Sequence, residues 1–400
     1  MITYMYYIFY LKKGEAMVKI HWLGTGLSAI PGLIMLIENG HSVVVYNRTV
    51  EKAAEALSGI KGDYEIIPFS LESIKVHANA GDIIVSMLPG NFHVPVAELS
   101  LSIGAHFVSS SYISDEMKSL HEESLRKNLS LVNEVGLDPG IDHSMSHALV
   151  EEYKNSNVFS AENNHSFLSY CGGLSDVPND FCYKFSWSPL GVLKALLSTS
   201  VSIRDSQVYT VHKPWEAVEL YPLPMPWGED EFEVYPNRDS IPFIDQYQMN
   251  EGLKIDQFVR GTLRYKGWKD AWSDIFSEVD TLDPKIAEDR LKAISDDLWN
   301  KYSYRDDEVD RVILTVELKV KNESEVVWHK QFLLDTLGNS KGSAMAQLVS
   351  CSVALAVEAV LNKEIPSGVT AAPHQSKLVK RWLNQADEIS DHFVLIDHLS

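Results

Sequence analysis

The sequence is short of cysteine and of positive charge, and each shortage excludes a class of protein. Its three cysteines, Cys171, Cys182 and Cys351, are too few and too scattered for a disulfide framework or a cysteine-based zinc site. We therefore expect a reducing compartment, the cytoplasm. Lysine and arginine total 35 against 55 aspartate and glutamate, so the formal net charge is −20. Such a field repels nucleic acid and anionic membranes, and neither is an expected partner.

The sequence also lacks internal repeats, and its N-terminal apolar run is too short to span a bilayer. Residues 1–16 place their basic pair after the aromatic run, which is the reverse of a secretory signal. Because Met17 stands directly before the first predicted strand, we expect residues 1–16 to be an extension and Met17 to be the natural start. The 400 residues, 45% of them hydrophobic, suggest two or three domains with sizeable cores.

A glycine turn between an apolar strand and a helix is the best-defined local pattern. The apolar run 18–23 predicts a buried strand, and the residues 24–29 that follow form a G-x-G-x-x-A turn. Gly24 permits a tight bend, Gly26 leaves room for a pyrophosphate, and Ala29 lets the next helix pack closely. The free N–H groups of that helix attract the pyrophosphate. The pattern predicts a dinucleotide site; the alternative is a glycine-rich turn in another βαβ unit.

The end of the second predicted strand, 42–46, favours one cofactor over another. NAD sites usually carry an acidic residue there, which accepts hydrogen bonds from the ribose 2′-OH. This chain instead continues with Asn47, Arg48 and Thr49. Arg48 can pair with a 2′-phosphate through two N–H groups, and its neighbours can add neutral donors. We therefore expect NADP(H); the alternative for Arg48 is a side chain that simply faces solvent.

Three more buried strands are predicted, over 81–89, 106–108 and 129–132. In a doubly wound parallel sheet the carboxyl ends of the strands face the cofactor. We therefore expect Ser86, Met87 and Leu88 to lie against the adenosine or the ribose. Polar residues over 109–112 and 133–140 follow the other two strands, where a nicotinamide would meet its substrate.

A helix is predicted over 141–153, with Asp138 before its first turn as a cap. On this helix His143, His147 and Glu151 are spaced i, i+4, i+8, which is one pattern for a metal site. The sequence has no HExxH motif and no evident fourth ligand, so we expect no metal. The favoured interpretation is a polar helix face with His143 near the active site.

From about residue 159 the pattern becomes rich in β-strands. The predicted strands cover 164–170, 206–213, 257–266, 310–320 and 326–334. The last two are predicted to form a hairpin. A proline-rich loop is expected over 221–226, and a long, buried apolar helix over 342–361.

These patterns together predict an α/β protein with two domains. A Rossmann-type doubly wound parallel sheet is expected over 17–140, and residues 366–400 are expected to pack back on it. A second α+β domain with a mixed or antiparallel sheet is expected over 141–365, with a helical insertion at about 275–305.

Several long strings in this sequence resemble one family. They are SSYIS (110–114), NEVGLDPGIDH (133–143), CGGL (171–174), YKFSWSP (183–189), YPNRDS (235–240), RGTLRYKG (260–267) and GSAMAQLV (342–349). In this order they resemble saccharopine dehydrogenase of the NADP-dependent, glutamate-forming type, from Met17 nearly to the C-terminus. The resemblance implies interconversion of saccharopine with glutamate and 2-aminoadipate 6-semialdehyde, in lysine metabolism. It also implies a small amino dicarboxylate substrate and a homodimer.

The resemblance implies a role for individual positions of this chain. The implied cofactor contacts are Gly24, Thr25, Gly26, Leu27, Ser28, Arg48, Thr49, Ser86, Met87, Leu88, Leu137, Asp138 and Pro139. The implied substrate contacts are Ser111, Tyr112, Asp138, Arg238, Thr262, Leu263 and Arg264. Asp138, Tyr112 and Cys171 match positions around the reacting carbon and nitrogen.

The residues agree with these roles but leave alternatives. An acidic protein needs fixed cations to bind a tricarboxylate, which Arg238 and Arg264 can supply; each is otherwise a structural ion pair. Asp138 or Tyr112 can move protons, directly or through water, whereas Cys171 is equally well a packing residue. A related imine reductase such as carboxynorspermidine dehydrogenase is one rival, and a non-catalytic NADP(H)-binding scaffold is another.

Overall fold

The computed structural model of the chain describes residues 18–250, 252–282, 287–305 and 307–400. The predictions for residues 1–16 and for Met17 lie outside the described residues, as do residues 283–286 within the expected helical insertion. Two β-sheets organise the described part, one of seven strands and one of nine.

The secondary-structure elements are numbered here in chain order. The strands are β1 (Ile20–Leu23), β2 (Val43–Asn47), β3 (Tyr64–Pro68), β4 (Ile83–Ser86), β5 (His106–Ser109), β6 (Ser130–Val132), β7 (Asn164–Ser175), β8 (Ser200–Arg204), β9 (Gln207–Val211), β10 (Glu219–Met225), β11 (Gly228–Pro236), β12 (Lys254–Tyr265), β13 (Asp310–Asn322), β14 (Glu325–Leu337), β15 (Gly368–Thr370) and β16 (His392–Asp397). The helices are α1 (Ile30–Glu38), α2 (Val50–Ala56), α3 (Leu71–His77), α4 (His93–Ile103), α5 (Asp115–Ser119), α6 (His121–Lys127), α7 (Ile141–Lys154), α8 (Pro189–Leu196), α9 (Pro242–Gln246), α10 (Trp268–Ala271), α11 (Ser273–Asp280), α12 (Ala287–Tyr302), α13 (Ala344–Leu361) and α14 (Ser376–Ile389).

The first sheet is parallel, in the order β15-β6-β5-β4-β1-β2-β3. The strand order changes direction between β1 and β4, and in such sheets a ligand binds in the crevice at the carboxyl ends of those two strands. The side chains of β1 and β4 are buried throughout, as expected for strands covered on both faces. The predicted Rossmann-type sheet is confirmed, and the glycine turn lies at its switch point.

Elements of this domain that were not predicted from the sequence include β3, α3 and α4, together with α5, α6 and the edge strand β15. β3 forms an edge and is only partly buried, so its sequence YEIIP carries neither a long apolar run nor clean alternation. α3 begins with a capping box: Ser73 N–H donates to Ser70 Oγ at 2.9 Å, and Ser70 N–H donates to Ser73 Oγ at 3.0 Å. Helix α4 connects β4 to β5.

The second sheet is mixed, as predicted. Its main path is β10-β11-β12-β7-β13-β14-β16, with the β8–β9 hairpin attached to β12. The central strand β7 runs parallel to β12 and antiparallel to β13. The predicted hairpin is confirmed, since β13 and β14 pair antiparallel from Arg311 with Leu337 to Asn322 with Glu325. Helices α7 and α13 pack against this sheet.

The proline-rich segment 221–226 is not the loop that was predicted, because all but its last residue belong to the edge strand β10. Pro222 lies opposite Glu231 and Pro224 opposite Glu229 of β11. The two prolines are two residues apart, so both missing N–H groups fall on the same side of the strand. An edge strand has a neighbour on one side only and tolerates this loss.

Helix α13 confirms the predicted long, buried apolar helix. It is long and apolar enough to cross a membrane by length and composition, and 78% of its apolar window is buried inside the protein. It packs on α1, α14, β5 and β13. At its crossing with α1, Gly32 N–H donates to Ser350 Oγ at 2.8 Å. The apolar surface of α13 is therefore used in packing between the two sheets.

The last 35 residues divide between the two sheets. β15 lies parallel to β6 at the edge of the first sheet. α14 packs on α7 and α13, and β16 pairs antiparallel with β14 in the second sheet.

We predict that Gly32→Ala destabilises the protein, because a Cβ at Gly32 would stand 1.9 Å from the Ser350 backbone oxygen. The crossing of α1 and α13 must open to admit it, at a cost of about 1–3 kcal/mol of unfolding free energy. Urea denaturation measures the loss. Gly90→Ala is the matched control, since a Cβ at Gly90 meets no atom within 4 Å. Equal stabilities of the two variants would contradict the close crossing.

Candidate active site

The glycine turn has the geometry that a bound dinucleotide requires. Gly24 has φ +97°, and a Cβ there would stand 3.0 Å from the Met87 backbone oxygen. A Cβ at Gly26 would meet no atom within 4 Å, so this side of the turn is open. Thr25 Oγ1 is buried without a hydrogen-bond partner among the described residues. The turn therefore offers an open cradle and an unused hydroxyl just before helix α1, which fits a pyrophosphate.

The end of β2 fits a 2′-phosphate better than a free ribose. Arg48 is exposed, and within the described ranges no carboxylate lies within 4 Å of its guanidinium. Asn47 Nδ2 donates to the Thr49 carbonyl at 2.8 Å, so the Asn47 amide holds the turn in place. Leu27 and Ser28, also predicted to touch the cofactor, are respectively exposed and half-buried at the glycine turn.

The end of β4 contributes to the crevice in a different way from the prediction. Met87 and Leu88 are half-buried and open to a ligand, but the Ser86 side chain is fully buried. Ser86 Oγ lies 2.9 Å from Nδ1 of His93, a residue that the sequence analysis missed. The other ring nitrogen, His93 Nε2, lies 2.7 Å from Oγ of Ser111. Ser86 therefore acts from behind the crevice.

Tyr112 and Asp138 meet at the carboxyl edge of the same sheet. The Tyr112 hydroxyl donates to Asp138 Oδ1 at 2.9 Å. Arg260 Nη2 also donates to this oxygen, at 2.7 Å, and to Asp142 Oδ2 at 2.5 Å. The guanidinium lies 3.8 Å from the centre of the Phe243 ring. Arg260, on β12 of the second sheet, was not predicted as a site residue although it lies in the RGTLRYKG string.

A second layer of polar groups lies behind Asp142. The His143 ring is fully buried, with Nε2 3.1 Å from Glu134 Oε2 and Nδ1 3.6 Å from Asp142 Oδ2. His143 Nδ1 also lies 2.7 Å from the Tyr247 hydroxyl. Glu134 Oε1 accepts the Ile113 N–H at 3.0 Å. His143 is therefore close to the site, as the sequence predicted, but as part of its support.

The electrostatics separate the two aspartates. Burial, and then the charge of Asp142, raise the pKa of Asp138. Burial also opposes ionisation of Asp142, but His143, Arg260 and the Gly140 N–H outweigh it and lower the pKa of Asp142. Burial raises the pKa of Tyr112 well above its usual range. Asp142 is thus the fixed anion and Tyr112 remains a phenol, while Asp138 is the group that can hold a proton.

The two predicted substrate arginines have no anionic partner among the described residues. The guanidinium of Arg238, an exposed residue with φ +59°, lies 5.2 Å from the centre of the Tyr112 ring. Arg264 is buried, lies 4.7 Å from the Tyr183 ring centre, and donates to the Leu263 carbonyl at 3.0 Å. In the described part of the chain, neither guanidinium has a carboxylate within 4 Å. The alternative, in which each arginine forms a structural ion pair, therefore finds no carboxylate among the described residues.

Cys171 lies on β7, opposite Thr262 of β12. Burial and the charge of Asp138 raise the pKa of the Cys171 thiol well above its usual range, and Arg264 opposes this. The thiol therefore stays protonated at neutral pH, which favours packing over nucleophilic chemistry. Thr262 and Leu263 are both buried, Leu263 completely.

Asp138 does not cap helix α7, contrary to prediction. Gly140 occupies the N-cap position, and its N–H donates to Asp142 Oδ1 at 2.6 Å. The Asp138 carboxylate is drawn instead to a guanidinium, because a buried charge needs an opposite charge more than a helix end needs a cap. Leu137 and Pro139, both predicted to touch the cofactor, have buried side chains.

The helix face of His143, His147 and Glu151 is divided among different partners. His147 packs edge-on against Tyr247, with ring centres 5.5 Å apart. Glu151 accepts a hydrogen bond from the Ser376 hydroxyl at 2.6 Å. Among the described residues no group of three or more His, Cys, Asp or Glu side chains is arranged to hold a metal ion.

We predict that Arg260→Met destabilises the protein in a pH-dependent way. Removal of the guanidinium leaves Asp138 and Asp142 buried without their cation, at a cost of about 3–5 kcal/mol at pH 7. The pKa of Asp142 then rises above that of the unfolded chain, and the already raised pKa of Asp138 rises further. The stability that the two carboxyls contribute is therefore retained at low pH and lost as pH rises. The deficit relative to the unaltered protein should shrink from pH 7 to pH 5 in urea denaturation.

Arg264→Met is the matched control for this experiment. It also removes a buried guanidinium, but one without a carboxylate partner among the described residues. Its deficit should stay constant over the same pH range. A deficit of Arg260→Met that is equally independent of pH would show that Arg260 does not stabilise the ionised forms of these carboxyl groups.

Comparison with known proteins finds a matching family model and similar curated proteins. The family model described as saccharopine dehydrogenase C-terminal domain matches residues 136–389. Saccharopine dehydrogenase [NADP(+), L-glutamate-forming] of Pyricularia oryzae is 29% identical over 435 residues, which cover 89% of this chain and 93% of that protein. The Saccharomyces cerevisiae protein of the same name is 36% identical over 253 residues, 62% of this chain and 54% of its own length.

Solved structures show the same fold. Apo saccharopine dehydrogenase (L-Glu forming) from Saccharomyces cerevisiae superimposes with a TM-score of 0.75 at 24% identity, covering 95% of this chain and all of that one. Homospermidine synthase from Legionella pneumophila, solved with NAD, superimposes with a TM-score of 0.62 at 11% identity, covering 95% of this chain and 91% of that one. With a family match over more than half of its length, the chain belongs to the saccharopine dehydrogenase C-terminal domain family.

Proposed function

We propose that the protein is an NADP(H)-dependent saccharopine dehydrogenase of the glutamate-forming type. It interconverts saccharopine with L-glutamate and 2-aminoadipate 6-semialdehyde. In one direction a C–N bond is oxidised to an imine, which water hydrolyses; in the other the imine forms with loss of water and is reduced. One observation carries the proposal: Arg238 and Arg264 have no anionic partners among the described residues, and Arg238 borders Tyr112 of the Tyr112–Asp138 pair. The charges of Arg264 and Asp138 both act on the Cys171 thiol.

In this proposal NADP(H) binds at the glycine turn. A bound NADP(H) would supply hydride transfer to or from the carbon of the C–N bond. Gly24 and Gly26 let the backbone approach the pyrophosphate, and the Thr25 hydroxyl supplies a donor. Arg48 would hold the 2′-phosphate, because its guanidinium is exposed and no acidic side chain occupies positions 47–49.

The substrate site must hold a tricarboxylate in a protein of net charge −20. Such a protein repels the substrate at long range, so binding depends on local cations. Arg238 can form a bidentate pair with one carboxylate while its guanidinium rests on the Tyr112 ring. Arg264 is held by aromatic rings, 4.7 Å from Tyr183 and 5.6 Å from Trp268, and offers its unused Nε–H to another.

Asp138 handles the proton in this proposal. The secondary amine must lose a proton when its carbon loses hydride, and the raised pKa of Asp138 makes its carboxylate a better acceptor for that proton. Tyr112 orients the carboxyl by donating to Oδ1, and Arg260 fixes it from the other side. Cys171 remains a neutral thiol beside them.

Saccharopine-dependent reduction of NADP⁺, followed by absorbance with NAD⁺ in parallel, tests the proposal. Turnover with a strong preference for NADP⁺ is the expected result, and a preference for NAD⁺ would remove the phosphate role of Arg48. NADPH binding without saccharopine turnover would exclude saccharopine as the substrate. The polyamine-type imine of carboxynorspermidine dehydrogenase would then be the next substrate to test. A non-catalytic scaffold would bind NADPH but turn over neither saccharopine nor the polyamine-type imine.

We predict that Arg238→Ala raises the KM for saccharopine about 10- to 100-fold, the loss of one charge-assisted pairing. The Kd for NADPH, measured by fluorescence titration, should not change. Arg204→Ala is the matched control, because Arg204 also lies on the second sheet but pairs with Glu219 at 3.0 Å. An unaltered KM for Arg238→Ala would remove this arginine from the substrate site.

We further infer that the protein is a homodimer, on the basis of the two-domain oxidoreductase architecture. Analytical ultracentrifugation should give twice the chain mass of 45.0 kDa. A single species at the chain mass would contradict the inference.

A further inference from the structure

His93 connects two parts of the site that the proposed function uses separately. It is the first residue of α4 and is 94% buried. Its Nδ1 lies 2.9 Å from Oγ of Ser86, at the end of β4, and its Nε2 lies 2.7 Å from Oγ of Ser111, after β5. Both ring nitrogens are thus engaged by hydroxyls on neighbouring strand ends.

Each of these two hydroxyls lies beside a different part of the proposed site. The residue after Ser86 is Met87, whose backbone oxygen would lie 3.0 Å from a Cβ at Gly24, so the end of β4 abuts the glycine turn. The residue after Ser111 is Tyr112, which bonds Asp138. A shift of the first hydroxyl therefore moves the cofactor cradle, and a shift of the second moves the proton-handling pair.

The linkage continues across the sheet edge. Ser111 N–H donates to Ser109 Oγ at 3.4 Å, and Ser109 Oγ donates to Asn133 Oδ1 at 3.0 Å. The hydrogen-bonded row thus runs along the carboxyl ends of β4, β5 and β6. His93 is the member that spans the gap between β4 and β5.

The charge state of His93 requires its two ring nitrogens to play opposite hydrogen-bonding roles. Burial lowers the pKa of His93 to about 4, so the ring is neutral at physiological pH. A neutral imidazole donates from one nitrogen and accepts at the other. One serine hydroxyl must therefore donate to the ring while the other accepts from it, which fixes the rotation of both hydroxyls.

We propose that His93 is a positioning residue that holds the cofactor cradle, through Ser86, and the loop after β5 that carries Tyr112, through Ser111, in a fixed relation. The proposal rests on the proposed function for the identity of the two ligands. His93 itself touches neither ligand; its effect reaches them through the two serines.

Two substitutions divide the roles of the two ring nitrogens. The amide nitrogen of Asn is as many bonds from Cβ as Nδ1 of His, and that of Gln as many as Nε2. His93→Asn therefore retains the bond to Ser86 and loses the bond to Ser111, whereas His93→Gln does the reverse. We expect His93→Gln to weaken NADPH binding about 3- to 10-fold with little change in the KM for saccharopine, and His93→Asn to raise that KM by a similar factor with little change in the Kd for NADPH.

Ser86→Ala gives a second measurement that leaves the histidine in place. It should reproduce the NADPH effect of His93→Gln, and the double variant should show no further loss, because both changes break one bond. His106→Asn is the matched control: this half-buried histidine starts β5 at the opposite edge, where Nδ1 accepts the Ser130 N–H at 3.0 Å. It should alter thermal stability without altering either constant.

The outcomes separate this proposal from the proposed function. Equal changes of both constants in His93→Asn and His93→Gln, or no change in either, would overturn the positioning role. If the unaltered protein fails to turn over saccharopine but binds NADPH, the proposed substrate fails alone. The NADPH titrations of His93→Gln, Ser86→Ala and His93→Asn still decide whether His93 holds the cofactor cradle.

Discussion

The guanidinium of Arg260 compensates two buried carboxylates where the two sheets meet. Asp138 follows β6 of the first sheet and Asp142 lies in the first turn of α7, while Arg260 comes from β12 of the second. Two buried anions without a cation would cost several kcal/mol each. The second sheet therefore supplies the charge that the first needs at its ligand-binding edge. The stacking of Arg260 on Phe243 keeps that charge away from water.

The sequence predicts what depends on local pattern and misses what depends on long-range pairing. The glycine turn, the apolar strands and α13 were evident because their signals lie within a few adjacent residues. Arg260 was missed because its partners are 118 and 122 residues away, and nothing in RGTLRYKG distinguishes it from Arg264. His93 was missed because a histidine at a helix start has no pattern of its own; only the folded sheet places it between Ser86 and Ser111.

The two wrong predictions, a loop at 221–226 and a helix cap at Asp138, have the same origin. The segment 221–226 has the composition of a loop and forms a strand, since β11 supplies the pairing and the open edge accepts the prolines. Asp138 has the position of a helix cap and pairs with Arg260, since tertiary charge outweighs a local hydrogen bond. In both cases a contact distant in sequence overrides a local preference.

Overall charge and local charge serve different purposes in this molecule. Many cations on the second sheet are neutralised by a neighbour, as Arg311 is by Asp335 and Arg204 by Glu219. Arg48 and Arg238 are exposed and have no such partner among the described residues. An acidic surface therefore surrounds a few cations available to anions, and selectivity comes from position and not from net charge.

The crossing of α1 and α13 has a consequence for how the chain becomes functional during synthesis. Helix α1, which carries the cofactor turn at its start, rests on Ser350 through Gly32, and β15 completes the edge of the first sheet only at residues 368–370. A ribosome that has made the first 140 residues has produced every strand of that sheet except β15, but not the helix that covers α1. The nucleotide half can therefore reach its final packing only after almost the whole polypeptide has left the exit tunnel, and the order of assembly differs from the order of translation.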